Sequence, residues 1–595
     1  MKKETQTILQ RINFPTDLKK LSKEDLHSLV DELRDFVIDV VSRQGGHLSA
    51  SLGVTELSVA IHYLYNTPDD KLVWDVGHQA YIHKLLTGRK QQFENIIKKG
   101  GISGFPKITE SEYDAFGTGH SSTSISAILG MATSAKIQNI SREHIAVIGD
   151  GALTAGQAFE ALNNAGNSNT NITIIINDNG MSIDPNVGSL KDYLESISKS
   201  EKQKNLFEAL GFKYFGPIDG NNLNAVLETL SEAKKLQQPK VIHLLTTKGK
   251  GYSPAEIGNK TTWHAPGYFN KVTGEINKTV TSENDTLKYQ DVFGKTLVEL
   301  AKQNEKIVAI TPAMTSGSSL NYMMEEFPDR CFDVGIAEQH AVTFSAGLAT
   351  DGLIPFCAIY STFLQRAYDQ LIHDVALQNL PVIFCIDRAG LVGEDGATHH
   401  GAFDLAYLRC IPNMIVAAPL NESELRNLMF SALETKQPFT IRYPRGKGVL
   451  PNWQTPFSKI EIGRAKVLTK GKKVAVISIG HVGNDVQKTI KELIEKNIQP
   501  THVDIRFLKP LDLNLLQEVF SSHEKIITVE DGTKIGGLYS AISEFKNENN
   551  FHQEIIGLGI SDKFVEHGSQ KELKEECNFD ITGIKKAIEN CWAKV

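Results

Sequence analysis

The segment at residues 146–183 constrains the fold of this chain more than any other part of the sequence. A short apolar run ends at the motif GDG (149–151), apolar residues then recur at helical spacing, and a second apolar run ends at NDN (177–179). This order predicts a strand, a crossover helix and a parallel strand. Because the carboxyl ends of neighbouring parallel strands share one edge of a sheet, we expect Asp150 and Asn179 to lie close together.

The donor atoms at this edge suit a hard divalent cation. A carboxylate from Asp150, an amide oxygen from Asn179 and a nearby backbone carbonyl are ligands that Mg²⁺ prefers, whereas zinc and copper favour softer donors. Magnesium bound in this way has coordination positions left for phosphate oxygens. The sequence therefore predicts that the bound group is a diphosphate. Taken alone, each loop is equally typical of an ordinary turn, and only their pairing across one crossover favours the metal site.

Three loops that precede this segment combine glycine with histidine. They are GGHLSASLG (45–53), WDVGHQAY (74–81) and FGTGHSS (116–122). Glycine lets the backbone approach a ligand closely, and histidine and serine can donate to phosphate oxygens or move protons. A single histidine in a turn is more often a surface or capping residue, but the repetition favours a shared ligand site.

Composition and charge exclude several classes of protein. The 595 residues are enough for two to four domains. A net charge of −7 and a pI near 6.2 argue against a nucleic-acid partner, and the basic clusters are short and scattered. These features favour an enzyme that acts on small molecules.

Secretion and membrane insertion are not expected. The start, MKKETQTILQRINFP, lacks an apolar secretion segment, and no later run approaches the about 18 apolar residues of a membrane span. The cytoplasm is therefore the expected location. The cysteines at 331, 357, 385, 410, 577 and 591 form no CxxC motif, which predicts buried, reduced thiols.

Together these motifs resemble the 1-deoxy-D-xylulose-5-phosphate synthase family of the transketolase-like superfamily. The resemblance includes GDGALTAGQAFEALNNAG (149–166) and continues to the end of the chain. The later matching motifs are TTKGKGYSPAE (246–256), DVGIAEQHAVTFSAGLA (333–349), YSTFLQRAYDQ (360–370), DRAGLVGEDGATHHGAFDL (387–405), RYPRG (442–446), DIRFLKPLD (504–512) and HGSQKEL (567–573).

The resemblance implies an α/β fold with three domains. Two thiamine-diphosphate-binding parallel-sheet domains would be followed by a transketolase C-terminal-like α/β domain. We predict a diphosphate- and metal-binding domain at 1–283, a pyrimidine-binding domain at 284–455 and the C-terminal domain at 456–595, with the polar stretch 273–289 as a linker. The C-terminal domain carries no acid–base cluster and is predicted to serve packing and dimerisation.

The implied activity is the thiamine-diphosphate-dependent decarboxylation of pyruvate and its carboligation to D-glyceraldehyde 3-phosphate. The products would be 1-deoxy-D-xylulose 5-phosphate and CO2, in the first step of the non-mevalonate isoprenoid precursor pathway, which also feeds thiamine and pyridoxal biosynthesis. The resemblance also implies Mg²⁺ and a homodimer. The alternatives are a sugar-phosphate transketolase, a 2-oxo-acid dehydrogenase E1-like enzyme and a non-catalytic cofactor-binding regulator.

Site residues follow by matching the family's motifs position by position. The metal ligands would be the side chains of Asp150 and Asn179 and the carbonyl of Met181. The catalytic set would be Glu338, His47, His399, Asp395, Arg366 and Tyr360. Further cofactor contacts are implied for His78, Gly119, His120, Ser121, Gly149, Gly151, Ala152, Lys248, Ile336 and Phe363, beside His47, Asp150, Asn179, Glu338 and Arg366. Arg388 and Arg445 would bind the substrate phosphate.

Several of these residues have an ordinary structural alternative. A glutamate at a helix start, as at position 338, is also typical of helix capping. Either arginine could be an ordinary surface ion pair, and the histidine pair at 399–400 could be an exposed polar turn. The upstream metal motif and the surrounding GEDGATHHG favour the functional interpretation.

Three features depart from the family's pattern. The charged segment between Gly188 and Gly211 is much shorter than the family's usual loop, which puts in doubt any part that this loop plays in closing the site. Gly180 stands where an acidic residue is more usual, and Ile82 stands where proline is common. Neither of these two substitutions removes a group that the chemistry needs.

Overall fold

The computed structural model describes residues 7–197, 205–277 and 285–595. The chain forms two compact units, Met1–Val280 with Gly335–Ala337 and Thr281–Val334 with Glu338–Val595. The predicted domain boundary at 283/284, part of the predicted linker and the middle of the short segment after residue 188 fall at 278–284 and 198–204, outside the described residues.

The first unit is built on a five-stranded parallel sheet. Its strands are β1 (Lys71–Trp74), β2 (His144–Gly149), β3 (Thr173–Asp178), β4 (Lys213–Asp219) and β5 (Lys240–Leu245). Their order in the sheet is β1-β2-β3-β5-β4. Strands β2, β3 and β5 are almost entirely buried, which explains their continuous apolar sequence. The predicted parallel pairing of β2 with β3 around a crossover helix, Gly156–Gly166, is confirmed.

Amphipathic helices accompany this sheet. The longest, Lys23–Gln44, begins after Ser22, whose Oγ accepts a hydrogen bond from the Asp25 N–H at 3.1 Å. It buries the apolar face that its 3.6-residue spacing predicts. The other longer helices of this unit are Thr55–Leu64, Ser124–Ile137, Gly156–Gly166, Ser189–Ile197 and Leu223–Lys234.

The second unit contains two sheets. Its strands are β6 (Ile307–Thr311), β7 (Cys331–Asp333), β8 (Ile354–Tyr360), β9 (Ile383–Ala389), β10 (Ile415–Ala417), β11 (Phe439–Pro444), β12 (Lys466–Thr469), β13 (Lys473–Ile479), β14 (Thr501–Asp504), β15 (Phe507–Lys509), β16 (His523–Thr533) and β17 (Glu554–Ile560). The sheet orders are β15-β10-β11-β9-β8-β6-β7 and β12-β14-β13-β16-β17. Among the described strands only the β10–β15 and β12–β14 pairs are antiparallel.

The two sheets of the second unit share one hydrophobic core. Strand β15 comes from the C-terminal part of the sequence but completes the edge of the sheet that contains β10. One cluster of buried side chains joins Ile310 and Ile359 to Ile477 and Phe520. Residues on either side of the predicted 455/456 boundary therefore stabilise each other by burying a common apolar surface.

Helices also pack along these two sheets. The longer ones are Tyr289–Gln303, Glu338–Thr350, Glu422–Ala432, Gly483–Ile494, Leu513–Ser522, Leu538–Glu548 and Ile581–Trp592. None of the described helices is both long and apolar enough to cross a membrane. All the cysteines are free, and Cys410 alone among them is exposed. The prediction of burial is wrong at Cys410, which directly follows helix Asp404–Arg409 and is exposed.

Candidate active site

In the first unit, the predicted metal and cofactor residues gather at the carboxyl edge of the sheet. His78 follows β1, Asp150 follows β2, Asn179 follows β3 and Lys248 follows β5. These four strands are consecutive neighbours in the sheet. Their loops therefore leave the sheet side by side, as the parallel topology requires.

Asp150 is a buried carboxylate, only 3% exposed. Its Oδ2 accepts hydrogen bonds from the Gly180 N–H at 2.7 Å and from Asn186 Nδ2 at 2.8 Å, while its Oδ1 has no hydrogen-bond partner among the described residues. Burial, together with the nearby carboxylate of Asp178, raises the pKa of Asp150 well above its usual range. A cation at Oδ1 would offset this repulsion, so the residues present fit a bound metal.

The loop after β3 folds back on itself as a tight hairpin. The Ser182 N–H donates to the Asp184 carbonyl at 3.0 Å, and the Asn186 N–H donates to the Gly180 carbonyl at 3.1 Å. These bonds flank Met181 and leave its carbonyl outside the ladder. Gly180 has a φ of +72°, which glycine adopts without strain.

The side chain of Asn179 is bonded locally in this structure. Its Oδ1 accepts a hydrogen bond from the Met181 N–H at 3.2 Å. An amide oxygen has two lone pairs, so this bond leaves one available to a metal. The described part of the chain contains no group of three or more His, Cys, Asp or Glu side chains placed to hold a metal. The predicted site differs from such a group because it has one carboxylate, one amide oxygen and one carbonyl.

Gly151 and Lys248 shape the space next to Asp150. A Cβ on Gly151 would lie 2.8 Å from Asn186 Oδ1 and 2.9 Å from the Cβ of Ser182, so this close approach requires glycine. Lys248 Nζ donates to the Ser182 carbonyl at 2.5 Å. Burial lowers the pKa of Lys248 to about 8, while the carboxylates of Asp150 and Asp184 act in the opposite direction. A buried ammonium group at this position fits an anionic ligand.

Three histidines lie close together beside these loops. The ring centroids of His47, His78 and His264 are 5.3 to 6.0 Å apart. Burial holds the pKa of His78 and of His264 well below the usual range, and the neighbouring histidines and Lys248 act in the same direction. Both rings are therefore neutral near pH 7. A neutral imidazole can donate through one nitrogen and accept through the other.

His264 was not predicted from the sequence. The Leu48 N–H donates to the His264 carbonyl at 3.1 Å, and Ser49 Oγ donates to the Trp263 carbonyl at 2.7 Å. These bonds bring His264 to the GGHLSASLG loop. Because the pairing joins residues far apart in sequence, no local spacing in TTWHAPG indicates it.

Asp75 is a second residue whose role was missed. Its carboxylate accepts hydrogen bonds from the Ser122 N–H at 2.6 Å and from the Ser124 N–H at 3.0 Å. Ser122 Oγ in turn donates to the Ala152 carbonyl at 2.6 Å. Asp75 therefore orders the FGTGHSS loop against the GDGA loop. In the FGTGHSS loop, Gly119 and Ser121 are buried and His120 is half-buried.

In the second unit, Glu338 is the first residue of helix Glu338–Thr350 and is 4% exposed. Its Oε2 lies 3.2 Å from Arg366 Nε. Burial raises the pKa of Glu338, while the Arg366 charge lowers it. Burial thus favours the protonated acid, which can donate a hydrogen bond to a ring nitrogen.

Aromatic side chains line the carboxyl ends of β8 and β9. Tyr360 stacks on Phe363 with ring centroids 5.6 Å apart, and Phe363 meets His399 edge-on at 5.7 Å. The guanidinium of Arg388 lies 4.4 Å from the centre of the Tyr360 ring. Burial raises the pKa of Tyr360, so its phenol is neutral.

The two predicted phosphate-binding arginines have different surroundings. Arg388 is paired with the buried carboxylate of Asp387, and burial raises the pKa of Asp387 to about 6, with Arg388 acting against it. The side chain of Arg445 is 41% exposed, and its Nη1 lies 3.2 Å from Glu394 and 4.0 Å from Asp395. Arg445 is therefore the more accessible of the two to an anionic substrate.

Comparisons with known protein families cover almost the whole chain. The matching family models are described as 1-deoxy-D-xylulose-5-phosphate synthase at residues 9–205 and 198–246, transketolase pyrimidine-binding domain at 285–449 and transketolase C-terminal domain at 463–584. The first match is in two segments that overlap within the short region after Gly188. With the parallel-sheet fold, these matches define a thiamine-diphosphate-dependent transferase of the transketolase type.

Curated relatives narrow this class to one family. A 1-deoxy-D-xylulose-5-phosphate synthase from Cytophaga hutchinsonii is 55% identical over 624 residues, covering 98% of each chain. Another from Parabacteroides distasonis is 50% identical over 622 residues, again covering 98% of each chain. The chain therefore belongs to the 1-deoxy-D-xylulose-5-phosphate synthase family. Among solved structures, a transketolase from Campylobacter jejuni is 20% identical, covers 96% of this chain and 100% of that chain, and has a TM-score of 0.45.

Proposed function

We propose that the chain converts pyruvate and D-glyceraldehyde 3-phosphate into 1-deoxy-D-xylulose 5-phosphate and CO2. The observation that carries this proposal is the similarity over 98% of the chain to relatives named as synthases of that product. Bound thiamine diphosphate supplies the carbanion chemistry that removes CO2 from pyruvate and joins its other two carbons to the aldehyde. The protein then has to hold the reactants in position and manage protons.

For the metal and the diphosphate, the proposed binding residues lie in the first unit. Asp150 and Asn179 would bind Mg²⁺ through side-chain oxygens, and Met181 through its carbonyl. The unpartnered, buried Oδ1 of Asp150 and the oxygen donor set support Mg²⁺ over a softer metal. The buried ammonium of Lys248 would neutralise part of the diphosphate charge. The remaining proposed cofactor contacts in this unit are His78, Gly119, His120, Ser121, Gly149, Gly151, Ala152 and Ile336.

For proton transfer, we assign different roles to Glu338 and to the histidines. Glu338 would hold the cofactor's aminopyrimidine in its reactive form by donating a proton to the ring, and Arg366 would orient the carboxyl group. His47 would move protons near the carbon derived from pyruvate. His264 lies 5.4 Å from His47 between ring centroids, and we add it to the same group. Phe363 would also contact the cofactor.

For the acceptor, the proposed residues follow β8, β9 and β11. Asp395 and His399 would contact the aldehyde side, with Tyr360 flanking them. Arg388 and Arg445 would bind the phosphate, because a guanidinium matches phosphate geometry with paired hydrogen bonds.

Product identification tests this function directly. The purified chain is incubated with pyruvate and D-glyceraldehyde 3-phosphate, with and without thiamine diphosphate and Mg²⁺. We expect cofactor-dependent CO2 and 1-deoxy-D-xylulose 5-phosphate. Turnover of a ketose phosphate without CO2 would indicate a transketolase, dependence on a lipoyl-bearing partner would indicate an E1-like enzyme, and an absence of turnover with all these substrates would indicate a non-catalytic regulator.

Replacing Arg388 or Arg445 by alanine is expected to weaken use of the phosphorylated acceptor. Loss of one charge-assisted contact costs about 1.5–3 kcal/mol, or roughly a ten- to hundredfold loss in kcat/KM for D-glyceraldehyde 3-phosphate. Steady-state kinetics with phosphorylated and unphosphorylated glyceraldehyde measure this. Turnover of the unphosphorylated acceptor should barely change.

Arg464 offers a matched control for these two variants. It is half-exposed, and its ion-pair partners are Glu461 and Asp512, neither of which is assigned to the acceptor site. Arg464→Ala should leave both acceptors unaffected. If Arg388→Ala or Arg445→Ala lowers activity equally with both acceptors, that arginine supports the fold or the cofactor and does not bind the phosphate.

We also propose that the chain forms a homodimer. Ile372 and Leu377, in the helical region that follows Glu338, expose apolar side chains to solvent. Burying this surface in a partner would stabilise the assembly. Sedimentation at assay concentrations is expected to give a dimer, and a stable, active monomer would contradict it.

A further inference from the structure

The loop that carries Asp395 and His399 is held by the C-terminal sheet. The Leu391 N–H donates to Asp531 Oδ1 at 3.0 Å. Gln570 Nε2 donates to the Leu391 carbonyl at 2.8 Å and to the Arg445 carbonyl at 3.2 Å. One side chain from the HGSQKEL motif therefore joins the two loops to which the acceptor residues were assigned.

The contact between Asp531 and Leu391 lies where an open α/β sheet normally binds a ligand. In the C-terminal sheet, β14 lies on one side of β13 and β16 on the other, so the strand order reverses between β13 and β16. His481 follows β13, and Asp531 follows the last residue of β16 that pairs with β13. Loops at such a reversal usually form the crevice that holds a small molecule.

In this chain a loop of the same unit occupies that crevice. A Cβ on Gly390 would lie 2.1 Å from Asp531 Oδ2, so the backbone approaches the carboxylate as closely as glycine allows. His481 Nε2 lies 3.4 Å from the same oxygen. Arg442 Nη2 donates to the Asp531 carbonyl at 2.8 Å. Asp531 is thus held from its own sheet and from β11.

The far end of the loop, around His400, also contacts the C-terminal part of the chain. The Val392 N–H donates to His400 Nδ1 at 3.1 Å, so Nε2 carries the ring proton and donates to the Glu566 carbonyl at 3.2 Å. A Cβ on Gly396 would lie 3.0 Å from the Cβ of His567. The backbone on both sides of Asp395 therefore packs against the C-terminal part of the chain.

Resting on the function proposed above, we propose that the C-terminal sheet uses its ligand crevice as a clamp that positions the acceptor loop. Asp531 and Gln570 are positioning residues in this view: they act on the substrate only through the backbone at 391 and 445. This adds a role in acceptor binding to the packing and dimerisation role that the sequence predicts for the C-terminal domain.

Gln570→Ala is the first test, because this side chain is half-buried at the edge of the clamp and its loss leaves the core intact. We expect kcat/KM for D-glyceraldehyde 3-phosphate to fall about three- to tenfold, the effect of losing one neutral hydrogen bond. The kcat/KM for pyruvate and the affinity for thiamine diphosphate should stay within twofold of the unmodified chain.

Gln553 provides the matched control. Its Nε2 donates to the Phe520 carbonyl at 2.5 Å and to the His523 carbonyl at 3.2 Å, which is the same chemistry in the same domain but away from the acceptor loop. Gln553→Ala should leave the acceptor kinetics unchanged. If Gln570→Ala also leaves them unchanged, or lowers the kinetics of both substrates equally, the positioning role is overturned.

A second measurement does not depend on activity. Hydrogen exchange of the amide at Leu391 should accelerate in Asp531→Ala, which removes the acceptor oxygen, and remain slow in Asp531→Asn, which keeps one. Equal exchange in both variants would overturn the clamp. If the unmodified chain forms no 1-deoxy-D-xylulose 5-phosphate, the proposed function fails, and the exchange experiment still decides whether Asp531 holds the loop.

Discussion

Glu338→Gln is expected to lower turnover of pyruvate with D-glyceraldehyde 3-phosphate by about 100- to 10,000-fold, the usual contribution of a positioned acid or base. The buried carboxyl favours its protonated form because burial raises the pKa of Glu338. An acid at this position can donate a proton to the aminopyrimidine and take it back. Glutamine has nearly the same shape but cannot exchange a proton in that way.

Binding and turnover should separate in this variant. The residues assigned to the metal and the diphosphate lie in the first unit, so titration calorimetry should give a nearly unchanged, magnesium-dependent affinity for thiamine diphosphate. Glu422 is a matched control, since it is also buried and also begins a helix, Glu422–Ala432, outside the predicted site. Glu422→Gln should keep its turnover. Near-normal turnover in Glu338→Gln would remove Glu338 from the mechanism.

The parts of the fold that could be predicted are those with a local cause. Strands β2 and β3 are buried on both faces, so their sequences are continuously apolar and end abruptly at GDG and NDN. Parallel pairing then puts the polar loops at one edge, which predicts that Asp150 and Asn179 lie close together. Glu338 was predicted in a different way, from the family's motif rather than from its spacing.

The parts that could not be predicted depend on contacts between distant segments. His264 reaches the site because the Leu48 N–H donates to its carbonyl and Ser49 Oγ donates to the carbonyl of Trp263. Gln570 reaches the acceptor loop across the boundary between two sheets. Neither residue belongs to a pattern of spacing or hydrophobicity, because the partner segment determines the contact.

Asp150→Asn is expected to have the opposite effect from Glu338→Gln, weakening binding before chemistry. The amide can still accept hydrogen bonds from the Gly180 N–H, which is 2.7 Å from the present carboxylate, so the loop after β3 should keep its shape. One formal charge at the cation is lost, however. Because even an outer-shell partner of a metal contributes about 10- to 100-fold in affinity, we expect at least that loss in magnesium-dependent binding of thiamine diphosphate.

Thermal unfolding gives a readout that needs no substrate. A ligand that binds only the folded chain raises its stability in proportion to the logarithm of its concentration over Kd, so the rise in Tm on adding thiamine diphosphate and Mg²⁺ should shrink in Asp150→Asn. Asp219 is a suitable control, because it ends β4 at the same edge of the sheet and, among the described residues, its carboxylate accepts a hydrogen bond within its own turn, from the Asn221 N–H at 2.9 Å. Asp219→Asn should keep the full rise.

Excess cofactor distinguishes a metal ligand from a residue needed for catalysis. If Asp150 only retains the metal and the diphosphate, saturating thiamine diphosphate and Mg²⁺ should restore most of the turnover of Asp150→Asn, since mass action compensates for a weaker Kd. No such rescue is expected for Glu338→Gln, because this variant should bind thiamine diphosphate with nearly unchanged affinity and extra cofactor adds nothing. If Asp150→Asn stays inactive at saturation while its cofactor affinity is unchanged, the carboxylate takes part in the chemistry and the assignment of Asp150 as a magnesium ligand is wrong.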